Sequence, residues 1–294
     1  LLAGVIATSV RVIATIERSP ADMTDNPISV VSDVLSISSG IAAQARFSIA
    51  AEVLNPPNAA IVDGVEVAIS ISAFDRFGNP VPDGTAITFT AECGGIGTAG
   101  PTGACQTITG RCSTSWTSQP GAARTCPANR VTILAHATGE EAFTDQDGDG
   151  YYTTSPNEPF VDNTEAYRDD DESGNYDLGE FFIDSDTNGV WNDQTPSDTA
   201  TGIFNGLACQ VDSTDCSTQL VSVFDSVVLV AGPSDSSDLF GTLFTAAGTP
   251  LSPIGTLAPD SLTAGSYVIA LADIDGNVPP LGTVISAEGN GECE

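Results

Sequence analysis

Asp169, Asp171, Ser173, Asn175, Asp177 and Glu180 occupy positions 1, 3, 5, 7, 9 and 12 of one short stretch, with Gly174 at position 6. That is the ligand spacing of a calcium loop. Ca2+ takes six to eight hard oxygen ligands, and glycine at position 6 allows the turn that points them inward. A second register follows at Asp184, Asp186, Asn188, Gly189, Val190 and Asn192, with Thr195 where the bidentate glutamate belongs. A third precedes it at Asp145, Asp147, Asp149, Gly150 and Tyr151, with Pro156 at position 12. Glu158, two residues further on, substitutes if that loop is slightly longer. An acidic solvated loop is the competing reading. One full and two partial matches within about fifty residues favour calcium.

A smaller repeat, acid-x-aromatic-x-Asp, occurs in the same segment as Glu141–Asp145, Glu158–Asp162, Glu165–Asp169 and Glu180–Asp184. Glu180 ends one loop and Asp184 opens the next, leaving an aromatic between them to turn into a small core. The flanks are too short and turn-rich for the long helices of a calcium sensor, which argues against a groove-opening switch. From Glu140 to Asp198 there are eighteen Asp/Glu and one basic residue, Arg168. So acidic a stretch with few apolar residues favours disorder on its own, which makes cation binding part of its folding free energy.

The remaining elements must hold this segment. At 294 residues the chain has room for two or three domains with real cores. It carries a formal charge of −31 with no lysine, which disfavours nucleic acid and anionic membranes as partners. No apolar run reaches membrane-spanning length. Leu1–Ile16 is interrupted by Gly4, Ser9 and Arg11 and does not read as an intact signal peptide. Outside the acidic segment, Val, Ile, Ala, Thr, Ser and Gly predominate, as in short strands and turns.

Cys105/Cys112 and Cys209/Cys216 share one spacing around turn residues and read as local disulfides, leaving Cys93 for Cys126. Without zinc-type C-x-x-C pairs, the set points to an oxidising, extracellular setting. Cys293 is the odd one out, with its partner in further sequence or in another chain.

The stretch Ile71 to Thr85 matches Ile269 to Thr283, and each reads as strand, Gly-Asn turn, proline-bearing link and strand. The following strands are Ala86–Phe89 and Val284–Ala287. Val10–Ala14 likewise matches Val131–Ala135, and Val34–Ile37 matches Val227–Val230. Tandem copies of one all-β sandwich are the expectation. The segments Asp75-x-x-Gly78-Asn79-Pro80-Val81-Pro82-x-Gly84-Thr85 and 273–283 resemble bacterial immunoglobulin-like domains of the invasin/intimin type. The chain also resembles large secreted proteins in which such a domain carries an acidic Asp/Asn/Gly-rich insertion. The resemblance implies tandem immunoglobulin-like sandwiches, secretion, a role in surface architecture or adhesion, and no catalytic residues.

Mapped by the repeats, 1–44 supplies terminal strands of an incomplete domain. One domain occupies 45–233, with the calcium insertion at about 139–206 placed between its last two strands, at the pole facing the preceding domain. Residues 234–294 supply the opening strands of another. Two arrangements fit: a window within a longer tandem array, or a subunit whose C-terminal half-domain is completed by the N-terminal strands of the next copy.

Enzymatic chemistry is not expected. The carboxylates lie in glycine-spaced loops rather than as an acid and a partner in an apolar cleft. His136 falls in an alternating strand without a nucleophile elbow, and reads as a packed or solvated strand residue. Trp116 reads as core, and Trp191 as cover for a small core. The functional expectation is a calcium-stabilised structural protein of the bacterial surface, an adhesin or filament segment whose partners are neighbouring copies or domains. A calcium-dependent carbohydrate- or receptor-binding module is the alternative, marked by an exposed aromatic cluster beside the metal.

Overall fold

The structure, a computed structural model, describes residues 9–16, 28–33, 35–36, 39–97, 102–119, 126–154, 157–193, 202–210, 213–231, 239–253 and 265–285. It is nearly all β, with no α-helix among the described residues. At the N-terminal side, β1 (Ser9–Val10) pairs with β4 (Leu35–Ser36), and β2 (Ile13–Ile16) pairs with β3 (Ile28–Val31).

Two sheets then form a sandwich. One contains β6 (Phe47–Ala51), β7 (Glu66–Ala73), β9 (Gly95–Ile96) and β11 (Arg111–Thr117), in the order β6-β7-β11-β9. The other has β8 (Ala86–Ala91), β10 (Thr102–Gln106), β12 (Arg130–Glu140) and β17 (Val221–Val230), in the order β10-β8-β12-β17. Short β5 (Ala42–Ala43) joins β12 in parallel. Period-2 alternation explains the core. Along β7, Val67, Ile69, Ile71 and Ala73 are buried while Glu66, Ala68 and Ser70 face out. They meet Ile87 and Phe89 of β8, Ile133 of β12 and Trp116 of β11. The indole Nε1–H donates to the Cys93 carbonyl at 2.9 Å, so the largest core side chain has its polar atom satisfied.

Disulfides Cys93–Cys126, Cys105–Cys112 and Cys209–Cys216 are all present. The second joins β10 to β11, across the two sheets. Cys293 lies outside the described residues.

After the sandwich, β18 (Phe240–Thr245), β19 (Pro250–Pro253) and β20 (Tyr267–Ala272) form a sheet in the order β19-β18-β20. The repeat is visible here as geometry. Asp75 Oδ1 accepts the N–H groups of Phe77 and Asn79, and Asp273 Oδ1 accepts those of Asp275 and Asn277. Ile71, opposite Ile49 in β6, is 1% exposed, whereas Ile269, opposite Leu243 in β18, is 42% exposed. The repeat position is thus covered in the sandwich and exposed in the β18–β20 sheet, where its neighbour Leu243 is buried. Val284 and Ile285, expected to open the next strand, are irregular, and 286–287 lie outside the described residues.

Candidate metal centre in the acidic insertion

Between β12 and β17 the described residues form only two-residue strands, isolated bridges, turns and irregular segments. Asp169, Asp171 and Glu180 converge, with one carboxylate oxygen of each lying within 4.8 Å of the others. Backbone N–H groups hold them there. Asp169 Oδ1 and Oδ2 accept from Ser173 (2.9 Å) and Gly174 (2.8 Å). Asp171 Oδ1 accepts from Ser173 at 3.0 Å, and Ser173 Oγ from Asn175 at 3.3 Å. Glu180 spans the loop, with Oε1 accepting from Asp170 at 2.6 Å and Oε2 from Asp177 at 2.9 Å. Positive φ at Glu172 (58°) and Gly174 (81°) gives the curl, and glycine reaches that region without strain.

The loop begun by Asp184 is built the same way. Asp184 accepts from Asn188 and Gly189, Asp186 from Asn188, and Asn188 Oδ1 from Val190. Positive φ recurs at Thr187 (63°) and Gly189 (78°). The spanning glutamate comes from upstream: Glu165 accepts from Ser185 at 2.6 Å and Asn192 at 3.1 Å. Glu165, Asp184 and Asp186 form the second convergent group. Burial pushes the Glu165 carboxyl up; the N–H groups of Ser185 and Asn192 oppose this, and the neighbouring Asp186 and Asp184 reinforce it. Thr195, the residue at the position-12 register, lies outside the described residues.

Asp145, Asp147 and Asp149 form the third group. Asp145 accepts from Gly148 and Gly150, Asp147 from Asp149, and Asp149 from Tyr151. Buried Glu158 spans this loop, accepting from Gln146 and Thr153 at 2.8 Å each. The loop is thus two residues longer than the first, and Pro156 lies outside the described residues.

No match to a known protein family, a curated protein or a solved structure is found.

The four-fold acid-x-aromatic-x-Asp repeat explains how the loops are joined. Tyr167 and Phe182 form an antiparallel bridge, so Glu165–Asp169 runs beside Glu180–Asp184. In the same way β13 (Ala142–Phe143) pairs with β14 (Phe160–Val161), setting Glu141–Asp145 beside Glu158–Asp162. Each glutamate closes the turn that leaves the partner strand. Glu141 completes the set, accepting from Asn163 at 3.0 Å and Asn205 at 2.7 Å, while Asp162 accepts from Gly202 at 3.2 Å. The second loop pair is therefore nested inside a turn opened by Asp162 and closed at Gly202–Asn205.

Aromatic rings fill the joints. Phe143, Tyr152, Phe160 and Phe204 pack together beside Cys209–Cys216, where β15 (Phe204–Asn205) pairs in parallel with β16 (Cys216–Ser217). Tyr176 stacks on Trp191 at 4.7 Å between ring centroids, with Tyr167 and Phe182 against the pair. Trp191 Nε1–H donates to the Glu165 carbonyl. Phe204 and Tyr152 are buried and the other rings half-buried, all packed on one another. His136 is half-buried in β12 opposite Phe224 and Thr88, with burial lowering its pKa.

Arginines fasten the insertion to the sandwich. The three ion pairs among the described residues are Arg76–Glu140, Arg130–Glu172 and Arg168–Asp170, and none uses a carboxylate from the three convergent groups. Arg76 also donates to the Gly150 carbonyl at 3.3 Å, fixing the Asp145 loop beside the Asp75 turn at one pole. Arg130 lies at the other end of β12, about 33 Å from Glu140 at strand rise. The insertion is thus not confined to the pole where it leaves the sandwich, because its arginine contacts lie at both ends of β12.

Sequence spacing brought Asp145, Asp147, Asp149, Asp169, Asp171, Glu180, Asp184 and Asp186 into the convergent groups, and Ser173, Asn175, Asp177, Asn188, Tyr151 and Val190 into the same loops. It missed Glu165 as a closing residue. The signal was the four-fold repeat, where Glu165 holds the same place as Glu158 and Glu180.

Proposed function

We propose that this chain is a calcium-stabilised structural segment of an extracellular bacterial protein, built on an immunoglobulin-like sandwich. The observation that carries the reading is the convergence of three carboxylate groups with no protein cation paired to them among the described residues, on backbone frames that repeat hydrogen bond for hydrogen bond in the Asp169 and Asp184 loops and differ by one donor in the Asp145 loop. Two carboxylates at about 4 Å repel by roughly 4 kcal/mol at an effective dielectric of 20, so three together call for a cation. Hard oxygens from Asp, Asn, Ser, Glu and backbone carbonyls suit Ca2+ rather than a thiolate- or imidazole-seeking metal. Asp169, Asp171, Ser173, Asn175, Asp177 and Glu180 would hold one ion. Asp184, Asp186, Asn188, Val190 and Glu165 would hold a second, and Asp145, Asp147, Asp149, Tyr151 and Glu158 a third.

The aromatics, buried or half-buried against one another, support a structural role over a carbohydrate platform. The three disulfides are compatible with an extracellular setting. The bare apolar residues of β2–β3 (Ile13, Ile16, Ile28, Val30) and of β18–β20 (Phe240, Val268, Ile269) support end-to-end association with a neighbouring domain or copy. Calorimetric titration of chelator-treated protein tests the calcium reading. Two or three sites are expected, on the order of 0.1–1 mM or tighter, and the absence of binding heat at millimolar calcium overturns it.

A further inference from the structure

The Asp169–Glu180 loop reaches beyond its own ligands. Arg168, one residue ahead of Asp169, donates to Thr90 Oγ1 at 3.0 Å and to the Ala91 carbonyl at 2.9 Å, at the end of β8. Glu172, at loop position 4 with φ 58°, takes Nε and Nη2 of Arg130 at the start of β12. The remaining terminal amine of that guanidinium, Nη1, donates to Asn277 Oδ1 at 3.1 Å. Asn277 belongs to the turn after β20, and its Nδ2 donates to the Ala128 carbonyl at 2.8 Å and to Asp273 at 3.0 Å. Asn55 Nδ2 adds a contact to the Val278 carbonyl at 2.7 Å. One guanidinium therefore ties together the acidic loop, the sandwich and the following sheet.

We propose that cation binding in the Asp169–Glu180 loop stiffens the joint between the sandwich and the β18–β20 sheet through Glu172, Arg130 and Asn277. The proposal rests on the calcium reading above. Glu172 is not one of the converging carboxylates, and its direction is set by the curl at positions 4 to 6. With the cation bound, that curl is fixed and Glu172 presents both oxygens to the planar fork of Arg130. Without it, repulsion among Asp169, Asp171 and Glu180 opens the curl. Arg130 then loses its counter-ion, and the fork that aims Nη1 at Asn277 is no longer oriented. The Arg130 and Glu172 side chains are 36% and 29% exposed. A pair so exposed contributes little unless its geometry is held in advance. This makes its strength dependent on the loop. The other end needs no such help, because Asp273 already fixes Asn277 through its backbone and side chain.

Hydrogen–deuterium exchange on the full chain, with and without calcium, tests this in wild type and Glu172→Gln. In wild type, calcium is expected to slow exchange at least about fivefold in 169–180 and in 273–278, a coupling at the low end of the usual range. In Glu172→Gln, which keeps the converging carboxylates, 169–180 remains protected by calcium, while the response of 273–278 falls below about twofold. An equal calcium response of 273–278 in both proteins overturns the relay. So does wild-type protection confined to 169–180. If calcium protects neither segment in wild type, the calcium reading falls, and the relay with it.

Discussion

Glu165 and Glu180 stand on strands bridged at Tyr167 and Phe182, and each closes the loop that leaves the other's strand. Glu180 spans the loop opened by Asp169, four residues after Glu165. Glu165 spans the loop opened by Asp184, four residues after Glu180. Neither loop is complete without the other strand, so the pair folds as one unit with Tyr176 stacked on Trp191 between them.

Glu165 is accordingly expected to matter to the Asp184 loop as Glu180 does to the Asp169 loop. Glu165→Gln removes one negative charge and one of the two N–H contacts to Ser185 and Asn192. It should weaken one calcium site about tenfold or more, the scale of a lost charged hydrogen bond. Thr195→Ala should leave calorimetric titrations unchanged. A fall in affinity with Thr195→Ala and none with Glu165→Gln would show that Thr195, not Glu165, completes the site.

Removing calcium should loosen the insertion while sparing the sandwich. The sandwich core is apolar, with Ile69, Phe89, Ile133 and Trp116 nearly fully buried, and Cys93–Cys126 and Cys105–Cys112 close it. The insertion has only small aromatic cores and mutually repelling carboxylates. Limited proteolysis with chelator should cut within 145–193 and leave 42–140 intact, held to β17 by its pairing with β12. Equal protection with and without chelator would mean that the insertion folds unaided.

Strand alternation, the 71–85/269–283 repeat and the Cys spacing made the β architecture and all three disulfides legible in the sequence. They work because one buried face imposes period 2, and because local cysteine pairs have few alternatives. Loop spacing likewise placed the acidic side chains, since a twelve-residue calcium loop is a local object. What spacing cannot carry is the closing carboxylate from another strand. Glu165 lies nineteen residues before Asp184, and only antiparallel pairing brings it back. The nesting of one loop pair inside the Asp162–Asn205 turn was hidden for the same reason. So was Arg130, whose role depends on three segments meeting at one guanidinium.

Gly94→Ala should be among the costliest single substitutions in the sandwich. Gly94 has φ 73°, and a Cβ there would lie 2.6 Å from Trp116 Nε1 and 2.7 Å from the Thr117 carbonyl. Both the backbone strain and the displaced indole hydrogen bond oppose it, for about 2–4 kcal/mol together. Urea unfolding followed by circular dichroism checks this, and a change below about 1 kcal/mol would mean that the turn relaxes freely.

Glu141 is buried, and burial pushes its carboxyl up to about 8; the Asn163 and Asn205 N–H groups pull it down, and neighbouring Asp162 raises it further. A raised acid holds a proton in the folded state that it gives up on unfolding. Its contribution to stability is therefore full below about pH 4.5 and lost as pH rises toward about 8. Within that window the slope from this group is at most about 1.4 kcal/mol per pH unit. Glu141→Gln cannot ionise, so its unfolding free energy, measured in urea at saturating calcium from pH 5 to 8.5, should fall less steeply than wild type. A residual slope is expected from Glu92, pushed up to about 7 chiefly by burial. The variant starts lower at pH 5, since its side chain has one oxygen where Glu141 offers two to Asn163 and Asn205. The two curves should then converge toward pH 8. Parallel curves would mean that Glu141 keeps its proton, or lacks it, across the whole range.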